Sequence, residues 1–179
     1  MDRFIALLRG INVSGHNKVP MAELRALCAD LGWQGAETYI QSGNLVFTAA
    51  GEAADLEQLL EARLGRAFGF TPAVMVRTAA QWKALAAANP FAAASHAEPN
   101  RVLMGITKSP PAPGAAEALE ARAAAGERVV AAGGALWFHY PIGVGTSKLS
   151  PALIDRAAGS ALTARNWRTV LALSKIAVA

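Results

Sequence analysis

The chain has 179 residues, 53% of them hydrophobic, and a formal net charge of +4. So much apolar material excludes a wholly disordered chain, and no apolar run approaches the roughly 20 residues that a bilayer crossing needs. Cys28 is the single cysteine, which rules out an intramolecular disulfide and a cysteine-based zinc site.

The charge is unevenly spread. Residues 3–22 contain no acid but carry Arg3, Arg9 and Lys18. From Arg128 onward the only acid is Asp155, against Arg128, Lys148, Arg156, Arg165, Arg168 and Lys175. Acid-free stretches of this kind favour an anionic partner. Arg9 and Asn12 follow the apolar residues 4–8 too closely for a secretory signal, so a cytoplasmic location away from membranes is expected.

In chain order, residues 3–9 read as a strand. Phe4, Ile5, Ala6, Leu7 and Leu8 lack polar alternation, as in a strand covered on both faces. A polar loop over residues 10–19 leads to a helix opening at Pro20, a residue suited to the first turn. Met21, Leu24, Leu27, Cys28 and Leu31 form its apolar stripe, and Gly32 ends it. Residues 37–41 and 44–49 read as strands joined at Ser42-Gly43-Asn44. After Gly51 a helix buries Leu56, Leu59, Leu60, Leu64 and Phe68, and a short strand follows at 73–77. The order β-α-β-β-α-β is that of a ferredoxin-like unit.

Thr78 and Gln81 form a capping box that opens a further helix, and the Ala-rich, Pro-containing residues 89–99 read as a linker. The order then partly repeats. Strands are expected at 101–107, 128–132 and 135–140, the last two joined through Gly133-Gly134. Helices are expected at 115–125, after Ser150-Pro151, and at 164–176 with Thr163 as N-cap. The second half thus reads β-α-β-β-α, with a helix where its fourth strand would stand. The expected fold class is α+β: two ferredoxin-like subdomains, the second incomplete, packed as one unit. Their expected spans are residues 1–78 and 101–179, with a helix and linker over 79–100.

Strands apolar on both faces need cover, since burying one Leu or Phe stabilises by about 1.5–3 kcal/mol. The simplest cover for each sheet is the other. An open sheet that stacks RNA bases on exposed aromatics is therefore not expected, and contacts with other molecules fall to the loops.

Three segments have the polar composition for this. In residues 9–18, Gly10 and Gly15 have P-loop spacing, but His16-Asn17 stands where a P-loop needs Lys and then Ser or Thr. A glycine-bearing loop can still offer backbone N–H groups to an anion. Gln41-Ser42-Gly43-Asn44 is a polar hairpin tip. Gly143-Val144-Gly145-Thr146-Ser147-Lys148 resembles a phosphate nest in composition, with its lysine after the hydroxyl rather than before it. Arg165 and Asn166 lie in the expected first turn of the last helix, where an arginine opposes the helix dipole. His16, His96 and His139 show no metal-ligand spacing, and no metal or cofactor is expected.

Four motifs together, Leu8-Arg9-Gly10-Ile11-Asn12-Val13, Asn17-Lys18-Val19-Pro20-Met21, Tyr39-Ile40-Gln41-Ser42-Gly43-Asn44 and Thr163-Ala164-Arg165-Asn166-Trp167-Arg168-Thr169, resemble the bacterial family called domain of unknown function 1697. Ser14 stands where that family's loop more often has glycine. The resemblance implies a pair of ferredoxin-like subdomains and implies no activity.

The leading expectation is a small anionic or phosphorylated ligand held by Arg9, Asn12, Asn17, Lys18, Gln41, Ser42, Asn44, Ser147, Lys148, Arg165 and Asn166. An enzyme using His16 or Lys148 for proton transfer is one alternative. Nucleic-acid binding through the basic C-terminal third is another.

Overall fold

The computed structural model describes residues 1–179. They divide into two units, Met1–Lys83 with Ala172–Ala179, and Ala84–Leu171.

The first unit contains β1 (Asp2–Leu8), α1 (Met21–Asp30), β2 (Gln34–Thr38), β3 (Asn44–Ala49), α2 (Ala53–Phe68) and β4 (Val74–Thr78), with α3 (Ala79–Ala87) leaving it. Its antiparallel sheet has the order β2-β3-β1-β4, so the apolar β1 is central, as its lack of alternation requires. Phe4, Ala6 and Leu8 join Leu24, Leu27, Cys28, Phe47, Leu56, Leu60 and Leu64 in one core. The opposite-facing Ile5 and Leu7 are also buried, at 0% and 1% exposure. Trp33 stacks on Phe47 at 4.1 Å between ring centroids. The capping box closes as expected: Thr78 N–H donates to Gln81 Oε1 and Gln81 N–H to Thr78 Oγ1. Two hydrogen bonds tie the C-terminal residues into this unit, Trp82 Nε1 donating to Ser174 Oγ and Arg3 to the Ile176 carbonyl.

The second unit contains α4 (Ala92–Ala97), β5 (Val102–Thr107), α5 (Ala115–Glu120), β6 (Arg128–Ala132), β7 (Ala135–His139), α6 (Pro151–Ala158) and β8 (Leu162–Asn166), with α7 (Trp167–Val178) beginning at its end. The sheet order β6-β7-β5-β8 repeats that of the first unit. Gly105 lies at its centre because a Cβ there would approach the Leu136 carbonyl and Leu162 Cδ1 at 2.9 Å.

The α+β architecture with two ferredoxin-like halves is thus present, and five readings are corrected. The second half is complete: residues 162–166 are β8, paired with β5 from Leu103↔Asn166 to Thr107↔Leu162. The N-cap of α7 is accordingly Asn166, whose Oδ1 accepts from Thr169 N–H at 2.9 Å, and not Thr163. The linker holds α4, and β2 begins at Gln34, three residues before the expected strand. Helix α5 stops at Glu120, whose carboxylate turns to accept the Val129 N–H at 2.8 Å and Arg128 Nε at 3.1 Å.

That last contact belongs to a pattern. An edge strand leaves backbone N–H groups without a strand partner, and three of the four edges here carry helix carboxylates on them. Glu61 and Glu57 of α2 accept from Val74 and Val76 of β4 at 2.8 and 2.7 Å. Asp155 of α6 accepts from Leu162 of β8 at 3.0 Å, and Glu120 serves β6.

The Val129 N–H, and next Arg128, hold the Glu120 carboxyl below the usual carboxylate range. A group lowered in the folded state contributes stability above its unfolded value of about 4.3 and loses it as pH falls through the folded value. Urea unfolding between about pH 6 and pH 3 should therefore show the gap between wild type and Glu120→Gln narrowing with acid. Glu57→Ala should cost about 2–3 kcal/mol near neutral pH, since it removes a charged acceptor from a buried N–H.

Candidate functional site

After Leu8 the backbone turns left-handed repeatedly, at Gly10, Asn12 (φ 53°), Ser14 (φ 49°), Gly15 and Asn17 (φ 51°). Asparagine tolerates this region better than other side-chain-bearing residues because it bonds to nearby backbone. Asn12 does so in three directions. Its Nδ2 donates to the carbonyls of Val19 (3.0 Å) and Gln41 (2.8 Å), and its Oδ1 accepts from Val19 N–H (2.8 Å). Asn17 Nδ2 donates to the Gly10 carbonyl at 3.1 Å, and Asn12 N–H donates to the Asn17 carbonyl at 3.0 Å.

The second segment, residues 39–43, is built around Asn44, which is fully buried. Its Nδ2 donates to the Tyr39 carbonyl and to Ser42 Oγ, both at 2.9 Å. Leu8 N–H donates to the Gly43 carbonyl at 2.8 Å. A Cβ on Gly43 would lie 2.7 Å from the Leu8 carbonyl oxygen, and its φ is 85°, so only glycine fits. Ile40, half exposed, has φ 50°, a region that penalises β-branched residues most. Asn12, Ser14, Asn17 and Ile40 are all the non-glycine residues of the chain with positive φ, and the Asn12–Gln41 hydrogen bond joins the two segments that hold them.

Seven of the expected ligand residues therefore lie in one pair of loops. Asn12, Asn17 and Asn44 spend their amides on building it, and the Ser42 hydroxyl accepts from Asn44. Lys18, Gln41 and His16 are exposed, and Arg9 is half-buried.

Ser147, Lys148, Arg165 and Asn166 belong to the second unit. Ser147 Oγ donates to Glu127 Oε1 at 2.6 Å and accepts from Leu149 N–H, and that bond holds the Glu127 carboxyl below its usual range. Lys148 is exposed beside it. Arg165 is 9% exposed on β8, donating to Thr163 Oγ1 (2.7 Å) and the Ala164 carbonyl (2.9 Å). Burial lowers its pKa to about 10, which leaves it charged at neutral pH. Asn166 is engaged as the cap of α7.

A family model described as "Protein of unknown function (DUF1697)" matches residues 1–137. The chain belongs to this family. The match contains both loops of the first unit, and the motif at 163–169 lies beyond it. Among solved structures, the conserved bacterial protein SP0830 from Streptococcus pneumoniae is similar over 98% of each chain, with a TM-score of 0.73 and 24% identity. At that identity the likeness establishes the fold alone. No curated protein matches the sequence.

Ser14 has φ 49°, a region that glycine enters at no steric cost. Two features of the loops escape a sequence reading: the exposure of Val13 (57%) and Ile40 (54%), and the left-handed backbone at Ile40. The only signal for them is an aliphatic residue inside a run of polar ones, and at residue 40 that run passes for the end of a strand.

Elsewhere in the DUF1697 chain, an open groove of about 320 Å³ runs between α1 and α2. Glu23 and Asp30 oppose Arg63 and Arg66 across it, and Arg63 approaches Asp30 at 3.9 Å, so it has no preference for anions. Burial pushes the Cys28 thiol up to about 12, which leaves it protonated and inert. No group of three His, Cys, Asp or Glu side chains is gathered for a metal. No helix is long and apolar enough to cross a membrane.

Substitutions at Gly43 and Ile40 should act in opposite directions. Gly43→Ala should destabilise by about 2 kcal/mol or more, through the clash with Leu8 and the positive φ. Ile40→Gly should stabilise by about 0.5–1 kcal/mol, by releasing left-handed strain that exceeds the entropy cost of glycine. Urea midpoints at constant slope measure both.

Proposed function

We propose that the chain is a binding protein for a small phosphate-bearing anion, held by the loop of residues 9–19 and the tip at 39–43. The observation that carries this reading is the concentration of every left-handed, side-chain-bearing residue in these two joined segments. Strained backbone persists where surrounding structure enforces it, and such places cluster at ligand sites. The chemistry agrees: Arg9, His16 and Lys18 stand in a stretch without acid, next to the exposed amide of Gln41 and hydroxyl of Ser42. The three asparagines then serve as positioning residues, and the basic side chains as the contacts.

The nucleic-acid alternative has less support. Phe4, Phe47, Trp137 and Phe138 on the strands are all at most 1% exposed, so no sheet face offers a stacking ring. Of the basic residues in the last third, Arg165 is buried and Arg128 pairs with Glu120.

Calorimetric titration with inorganic phosphate and with pyrophosphate at low ionic strength tests the proposal. A single site is expected, weakened about tenfold or more in Lys18→Ala and in Arg9→Ala, each of which removes a charge-assisted contact worth about 1.5–3 kcal/mol. Absence of binding by both anions, or unchanged affinity in both variants, would overturn it.

A further inference from the structure

We propose that the anion is a mononucleotide, with its base lying on Val13 and Ile40, its polar edge read by Gln41, and its phosphate on the basic loop. This rests on the anion-binding reading above and extends it to a ligand class. A bare phosphate needs only the charges and amides, so it leaves the two aliphatic side chains without a purpose. Val13 and Ile40 are 57% and 54% exposed, and each lies one residue from an end of the 2.8 Å hydrogen bond between Asn12 and the Gln41 carbonyl. Two exposed branched apolar residues are thus the chain neighbours of the pair that ties the segments.

Folding does not explain Ile40. At φ 50° glycine or asparagine is the comfortable residue, and at a half-exposed position a polar one would serve. A ligand that covers the side chain supplies the missing reason. The apolar surface also limits what that ligand can be. Val13 and Ile40 are the only large hydrophobics exposed in these segments, which is too small a patch for an acyl chain and enough for one face of a flat ring. Beside them Gln41 presents an amide donor and acceptor, and Ser42 a hydroxyl, suited to the hydrogen-bonding edge of a nucleobase. Arg9, His16 and Lys18 take the charged end. Apolar surface with a few placed polar groups is the usual lining of a small-ligand site.

The test is calorimetry on the full chain with AMP, GMP, CMP, UMP and inorganic phosphate, repeated with Val13→Ser and Ile40→Ser. At least one mononucleotide should bind about tenfold or more tighter than phosphate. Each serine variant should lose about tenfold for that nucleotide, the scale of a lost apolar contact, and keep its affinity for phosphate. Mononucleotides binding no tighter than phosphate, or serine variants weakening both ligands alike, would overturn the nucleotide assignment while the anion site stands. No binding by any of the five would overturn both.

Discussion

Strand β1 carries large side chains on both faces, and neither face meets water: Phe4, Ile5, Leu7 and Leu8 are at most 1% exposed. Each is worth about 1.5–3 kcal/mol when buried, so a conformation that wets either face is heavily disfavoured. In the second unit, Met104, Trp137 and Phe138 are likewise at most 1% exposed. Sheets covered in this way have no surface to offer a ligand. In the function proposed above, recognition therefore falls to the segments that join the strands.

Covered sheets still have edges, and here helix carboxylates close most of them. Glu57 and Glu61 on β4, Glu120 on β6 and Asp155 on β8 each take a backbone N–H that a strand partner would otherwise take. The arrangement satisfies buried donors and denies those edges to a neighbouring chain. It also explains part of the charge distribution. Several acids are drawn to strand edges, while the loop after β1 has none and carries Arg9 and Lys18.

The first half of the fold was legible because local signals agree there with tertiary placement. The uninterrupted apolar run at 4–8, the stripe of α1 and the Thr78–Gln81 box each point to what forms. The second half hides β8, and the reason is physical. Asn166 ends the strand and caps α7 with no loop between them, so strand and helix merge into one segment. A buried Arg165 near the end of the strand also breaks the apolar pattern that would announce it. The alanine run of α5 continues past Glu120 and reads as helix, but tertiary hydrogen bonding of the Glu120 side chain ends the helix there. The site was legible as a set of loops and motifs but not in its division of labour. Sequence marks Asn12, Asn17 and Asn44 as polar. Only the backbone angles and hydrogen bonds separate these builders from the exposed Lys18 and Gln41, and only burial reveals Val13 and Ile40.

The Asn12 side chain is the joint on which the proposed site turns, since it fixes Val19 within its own loop and reaches Gln41 in the other. The most direct measurement is two-dimensional NMR of backbone and asparagine side-chain amides during titration with inorganic phosphate. Shifts confined to residues 9–19 and 39–44, with the Asn12 side-chain amide among them, are the expected result. Shifts centred on residues 141–148 or on the groove between α1 and α2, with these two loops unmoved, would contradict it.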